Sequence, residues 1–148
     1  MSPTPESPVT HDASTAPVPV LSALGPATHA ILRIGAALLM MPHGAQKLFG
    51  AFDKTPVTLL SDRGFAGVVE FFVSLLLALG LASRPAAALL CLVMIAAYVV
   101  GHAGTNPWPI VNKGELALLY ALVFAFLAAN GPGPWSLDGW LRRRRGSR

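Results

Sequence analysis

Four long apolar stretches dominate the chain, at about residues 28–52, 64–83, 85–104 and 114–130. In the last three, apolar side chains run around every face, unlike the single stripe of a surface helix. Each stretch is about 17–25 residues, enough at 1.5 Å per residue to cross roughly 30 Å of hydrocarbon. Lipid offers no partner to an open backbone, so the pattern predicts transmembrane helices. The ten-residue alternating segments of a membrane barrel are absent. The expected fold is an all-α integral membrane four-helix bundle with a disordered N-terminal tail.

The polar segments between these stretches sharpen the picture. Ala82-Ser83-Arg84-Pro85 is so short a link that the second and third helices must be antiparallel neighbours. Ser83 suits the cap of the third helix and Pro85 its first turn. Pro42 is expected to kink the first helix. The ring of Trp108, between Pro107 and Pro109, suits a headgroup boundary. Residues 131–140 read as a Gly/Pro turn region. Residues 1–27 hold six of the thirteen prolines and no Lys or Arg. Such a stretch buries too little apolar surface to offset its ordering entropy, and it lacks the basic start of a secretory signal. The expected division is a disordered tail over 1–27, a transmembrane domain over 28–140 and a basic tail over 141–148.

Composition supports a membrane setting. Apolar residues make up 53% of the chain and charged ones 12%, half the charged share of a typical soluble domain. The net charge of +4 does not point to nucleic acid, because five of the eleven cations lie in the last seven residues. An even number of crossings puts both termini on one side. That side holds Arg33, Arg84 and the five terminal arginines, against Lys47, Lys54, Arg63 and Lys113 on the other. The balance predicts cytoplasmic termini. Arg142–Arg145 read as a topology signal and an anchor to anionic lipid. A single cysteine, Cys91, excludes an intrachain disulfide, a dithiol and a zinc–thiolate cluster.

Ionisable groups inside a membrane are costly and point to function. Under this topology His43, Gln46, Lys47, Glu70, Tyr98, His102, Glu115 and Tyr120 all fall in the outer half of the bundle. His43, Gln46 and Lys47 share one helix face by their spacing. The inner half is apolar apart from Arg33, which is expected to snorkel. One account of the cluster is structural, with Lys47 pairing with Glu70 or Glu115 to hold the helices in register. The other is a polar cavity for a small ligand, a quinone head or protons. His43, His102, Glu70 and Glu115 are chemically adequate for a divalent metal, but they lie on separate helices whose mutual geometry the sequence leaves open, and no metal ligands are assigned.

The string His43-Gly44-Ala45-Gln46-Lys47-Leu48-Phe49-Gly50 resembles the HGxQKLFG motif of the DoxX family. Glu70 early in the second helix agrees with that family. So do Leu79-Gly80-Leu81-Ala82-Ser83-Arg84-Pro85, Lys113-Gly114-Glu115-Leu116-Ala117-Leu118-Leu119-Tyr120 and Gly131-Pro132-Gly133-Pro134-Trp135-Ser136-Leu137-Asp138. The resemblance spans about residues 32–138. It implies a multi-pass protein of the bacterial inner membrane, related to subunits of thiosulfate:quinone oxidoreductases and of other membrane redox complexes. The residues that transfer by motif position are His43, Gln46, Lys47, Glu70 and Glu115.

Three functions fit these residues. In a quinone-associated redox subunit, His43, Gln46, Lys47, Tyr98 and His102 would bind the ligand, and Glu70 and Glu115 would act catalytically as proton exchangers. The sequence carries no flavin, haem or iron–sulfur motif, so electrons would come from a partner protein or a substrate. A carrier would hold a metabolite in the same site and would need to form a homo-oligomer. An assembly subunit would use the cluster for helix register and the arginine tail as a contact.

Overall fold

The computed structural model describes residues 19–146, and all regular structure among them is helical. α1 runs Pro19–Phe49, α2 residues 62–79, α3 Ser83–Ala103, α4 Pro109–Asn112, α5 Glu115–Asn130 and α6 Leu137–Gly146. α1 lies along α2, α2 on α3, and α3 on α5, the first and last being the most extensive pairs. Ala37, Met40, Leu77, Ala87, Leu90, Phe124 and Leu127 fill the centre. Small residues there bring the helix backbones close, as in membrane bundles, where packing rather than water exclusion drives association.

Among the described residues two helices, Ala23–Phe49 and Ser83–Ala103, are long and apolar enough to cross a membrane, and only 28% of each apolar window is buried inside the protein. A core helix of a soluble protein would be mostly buried. Here Leu39, Leu92, Val100 and Leu122 point outward instead. α5 is a shorter apolar helix of the same character.

α1 is described from Pro19, inside the segment expected to be disordered. The physical reason is local: Ala23, Leu24 and Ala27 are good helix formers. Residues 1–18 of the expected tail lie outside the described residues. The helix continues through Pro26 and Pro42. Residues 137–146 form α6, which takes up the end of the Gly/Pro region and most of the basic tail. Asp138 lies in its first turn and Arg143–Arg145 in its last, the arrangement that the helix dipole favours.

Ser61 caps α2 through a 3.1 Å bond from the Gly64 N–H. The cap of α3 corrects the expectation for Ser83. Its orphan N–H groups are taken by Asp138, 55 and more residues away in sequence. Ala82 N–H donates to Oδ1 at 2.9 Å, and Ser83 N–H and Oγ–H donate to Oδ2 at 2.8 and 2.9 Å. The Asp138 N–H returns a bond to the Gly80 carbonyl at 2.9 Å. A carboxylate accepts several such bonds where a hydroxyl accepts fewer, so Asp138 outcompetes Ser83. Gly80 makes the approach possible, with φ +70° and no room for a Cβ beside Ser136.

Burial alone would raise the pKa of Asp138, but the Ser83 and Ala82 hydrogen bonds and nearby Arg142 outweigh it and hold the carboxyl below its ordinary value. A depressed folded-state value means the contribution is complete above about pH 4 and fades as pH falls through that depressed value. Asp138→Ala is expected to cost about 1 kcal/mol near neutrality and to flatten this acid limb. Unfolding in detergent between pH 2 and pH 7 checks both.

Candidate functional site

The α1–α2 contact sets up the first polar group. A Cβ on Gly44 would lie 2.5 Å from the Phe71 nitrogen and 2.7 Å from the Gly67 carbonyl oxygen. One on Gly67 would lie 2.9 Å from Lys47 Cβ. Two glycines thus let the backbones nearly touch, and Lys47, one turn past His43, meets Glu70 across the seam. Lys47 Nζ donates to Glu70 Oε1. The Lys47 side chain is 29% exposed and that of Glu70 only 2%, so the lysine reaches toward an open edge while the carboxylate is sealed.

Glu70 Oε2 and Ser74 Oγ are both buried without a hydrogen-bond partner among the described residues. They lie four positions apart on α2, hence on one face. Glu70 also sits in a π-helical turn, Val69–Val73. Such turns break the regular backbone ladder and recur at functional sites. On the α5 side, the His43 ring meets Tyr120 edge-on at 6.3 Å, and Tyr120 stacks on Phe124 at 5.7 Å.

A second polar group forms where α3 meets α4. His102 Nδ1–H donates to the Asn112 carbonyl at 2.9 Å, an assignment dictated by the acceptor. Its ring lies over Tyr98 at 6.4 Å. Asn112, nearly buried, donates to Tyr98 Oη at 3.3 Å and to the Asn106 carbonyl at 2.8 Å, and accepts the Gly114 N–H at 2.8 Å. His102 occupies a second π-helical turn, Val99–Ala103. No hydrogen bond or ring contact joins this group to Lys47 and Glu70 among the described residues.

The expected cluster is therefore two groups. Lys47 and Glu70 touch, with His43 and Tyr120 forming a ring pair between α1 and α5. Tyr98 and His102 belong to the α3–α4 corner. Gln46 is half-buried with no side-chain hydrogen bond among the described residues, and Glu115 is exposed in the first turn of α5, facing its dipole. The described residues gather no set of three metal-ligating side chains.

Sequence reasoning misses Ser74, Asn112 and Asp138, and misplaces Arg33. Arg33 is fully buried rather than snorkelling. Its guanidinium donates to the carbonyls of Pro132, Pro134 (3.1 Å) and Trp135 (2.8 Å). His29 Nε2–H adds a 3.0 Å bond to the Gly131 carbonyl. A signal is present: a Gly-Pro-Gly-Pro run has few N–H groups to satisfy its own carbonyls, so it needs donors from elsewhere. Arg33 and Lys47 are 14 residues apart on α1, about 21 Å by helical rise. An apolar core separates these two polar ends.

Apolar helices with outward-facing apolar side chains, and costly polar groups confined to a few positions, define an all-α membrane protein. The chain belongs to the DoxX family, whose sequence profile matches residues 28–103. It is 38% identical over 120 residues to an uncharacterized protein of Haemophilus influenzae, covering 74% of this chain and 87% of that one. It is 30% identical over 145 residues to a protein of Mycobacterium tuberculosis described as an uncharacterized membrane protein, covering 84% and 88% of the two. No solved structure matches this chain.

Proposed function

We propose that this chain is a quinone-associated, redox-linked subunit of the bacterial inner membrane, with Lys47 and Glu70 as its polar site. In this reading four helices cross the bilayer, both termini are cytoplasmic, and the site opens toward the outer face. The observation that carries it is the sealed carboxylate. Glu70 is 1% exposed, and its Oε2 has no partner among the described residues. Register alone would need only the oxygen that Lys47 already holds. An orphan oxygen beside an ammonium in an apolar bundle suits a small ligand with a carbonyl oxygen and a hydroxyl to exchange.

A bound quinone would supply two-electron chemistry that takes up two protons on reduction. Lys47 would donate a hydrogen bond to one quinone oxygen and orient the ring. Glu70 would pass protons through Oε2, one at a time, and recover them by way of Lys47, whose ammonium is part open. His43 and Tyr120 would wall the ring, with Gln46 at the rim. Tyr98 and His102 stand apart at the α3–α4 corner, and Glu115 lies exposed in the first turn of α5. Electrons would arrive from a partner protein or a substrate.

The direct contact between Lys47 and Glu70 favours a second reading, an assembly subunit that uses the pair for helix register. Native mass spectrometry of the full chain from mild detergent separates the two. The proposal expects a stoichiometric quinone, lost at least tenfold in Glu70→Gln while circular dichroism stays helical. A quinone-free chain, or quinone retained unchanged in Glu70→Gln, would overturn it. A different small molecule lost on the same substitution would assign the site to a carrier.

A further inference from the structure

At the end of the bundle away from Lys47, α6 folds against the α2–α3 turn beside an open cleft of about 380 Å³. Its lining includes Ser83, Arg84, Pro132, Asp138, Arg142 and Arg145. Asp138, Arg142 and Arg145 follow each other at spacings of four and three, so one face of α6 supplies them. The Asp138 oxygens are already engaged by Ala82 and Ser83. Three guanidiniums against one committed carboxylate leave the cleft positive.

The turn and α6 around the cleft also expose apolar side chains. Trp135 is 68% exposed and Trp140 43%, with Leu137 and Leu141 open beside them. Arg144 lies over the Trp140 ring at 3.9 Å. The cleft sits where α3, whose Leu89 and Leu92 face outward, leaves the apolar zone. Cations inside and indole rings outside match the headgroup layer, where each side chain meets its preferred solvent.

We propose that this cleft binds the phosphate of an anionic phospholipid. Arg84, Arg142 and Arg145 hold the phosphate oxygens, for which the guanidinium fork is well shaped. Trp135, Leu137 and Trp140 seat α6 in the surrounding acyl–headgroup boundary. A free phosphate would use the same arginines but would leave those apolar side chains in water, which favours the lipid. This site is independent of the Lys47–Glu70 reading.

The test is thermal unfolding of the full chain in phosphatidylcholine micelles, titrated with phosphatidylglycerol, more phosphatidylcholine or inorganic phosphate. Phosphatidylglycerol is expected to raise Tm by about 5 °C, and the other two to leave it unchanged. Arg142→Gln/Arg145→Gln loses most of that shift, while Arg143→Gln, off the cleft, keeps it. Arg145→Gln alone, in the exposed last turn, loses about half the shift and serves if the double variant fails to fold. An equal shift with phosphatidylcholine, or a shift reproduced by inorganic phosphate, would overturn the proposal. So would equal losses in Arg143→Gln and the charge-matched Arg145→Gln, which would mean diffuse charge rather than a site.

Discussion

Lys47→Met is expected to lower the unfolding free energy by about 3–5 kcal/mol, more than Glu70→Gln. The two partners share one contact but not one environment. Glu70 is sealed, whereas Lys47 is part open. Removing the lysine strands a carboxylate that water cannot reach, and a charge left bare in an apolar setting is the expensive case. Removing the carboxylate leaves an ammonium on a flexible stem, which can turn toward the aqueous edge. Lys47→Met/Glu70→Gln should therefore recover most of the single loss, because no bare charge remains. Ordinary polar contacts between membrane helices contribute about 0.6 kcal/mol on average. A loss of that size in Lys47→Met, or additive losses in the double variant, would show that Glu70 is not sealed. Unfolding in mixed micelles, followed by circular dichroism, gives all three values.

Arg33→Ala is expected to cost a similar amount, about 3–5 kcal/mol, at the other end of the molecule. The guanidinium serves three carbonyls of one turn. Its loss strands those carbonyls and opens a void beneath them. The turn carries Ser136 and Asp138, so the α3 cap should loosen with it. Trypsin cleavage at Arg142–Arg145 is expected to speed up about tenfold or more, since each 1.4 kcal/mol of local stability is a factor of ten in open population. Arg33→Lys should restore only part of this. A compact ammonium cannot reach three spread carbonyls as a planar fork does. Unchanged cleavage in Arg33→Ala would mean that the turn is held by other contacts.

Much of the fold is legible in the amino-acid sequence. The four apolar stretches lie within a few residues of α1, α2, α3 and α5, except at the start of α1. Burial in lipid demands long unbroken apolar runs, and a run of that kind is visible in one dimension. Lys47 and Glu70 are legible as candidates by the same logic, because charge stands out where nearly everything else is apolar. Their contact is not, since it depends on how far each helix turns about its own axis. That rotation follows from the close approach at Gly44 and Gly67. Asn112 escapes notice because it reads as an ordinary turn residue, and Ser74 because a lone serine in an apolar helix most often bonds its own backbone.

The apolar pattern alone dictates a helical membrane protein with its polar chemistry confined to a few positions. The cost of placing charge or open backbone in lipid leaves few alternatives. Which of those positions meet is settled by the packing of the whole chain. Packing joins Lys47 to Glu70, sets Tyr98 and His102 apart at their own corner, and brings Arg33 under a turn about 100 residues away. It also gives the cap of α3 to Asp138 rather than to Ser83. These pairings turn on helix rotation and on loops folding back across the bundle. Both are set by shape complementarity between distant segments, which no local pattern encodes.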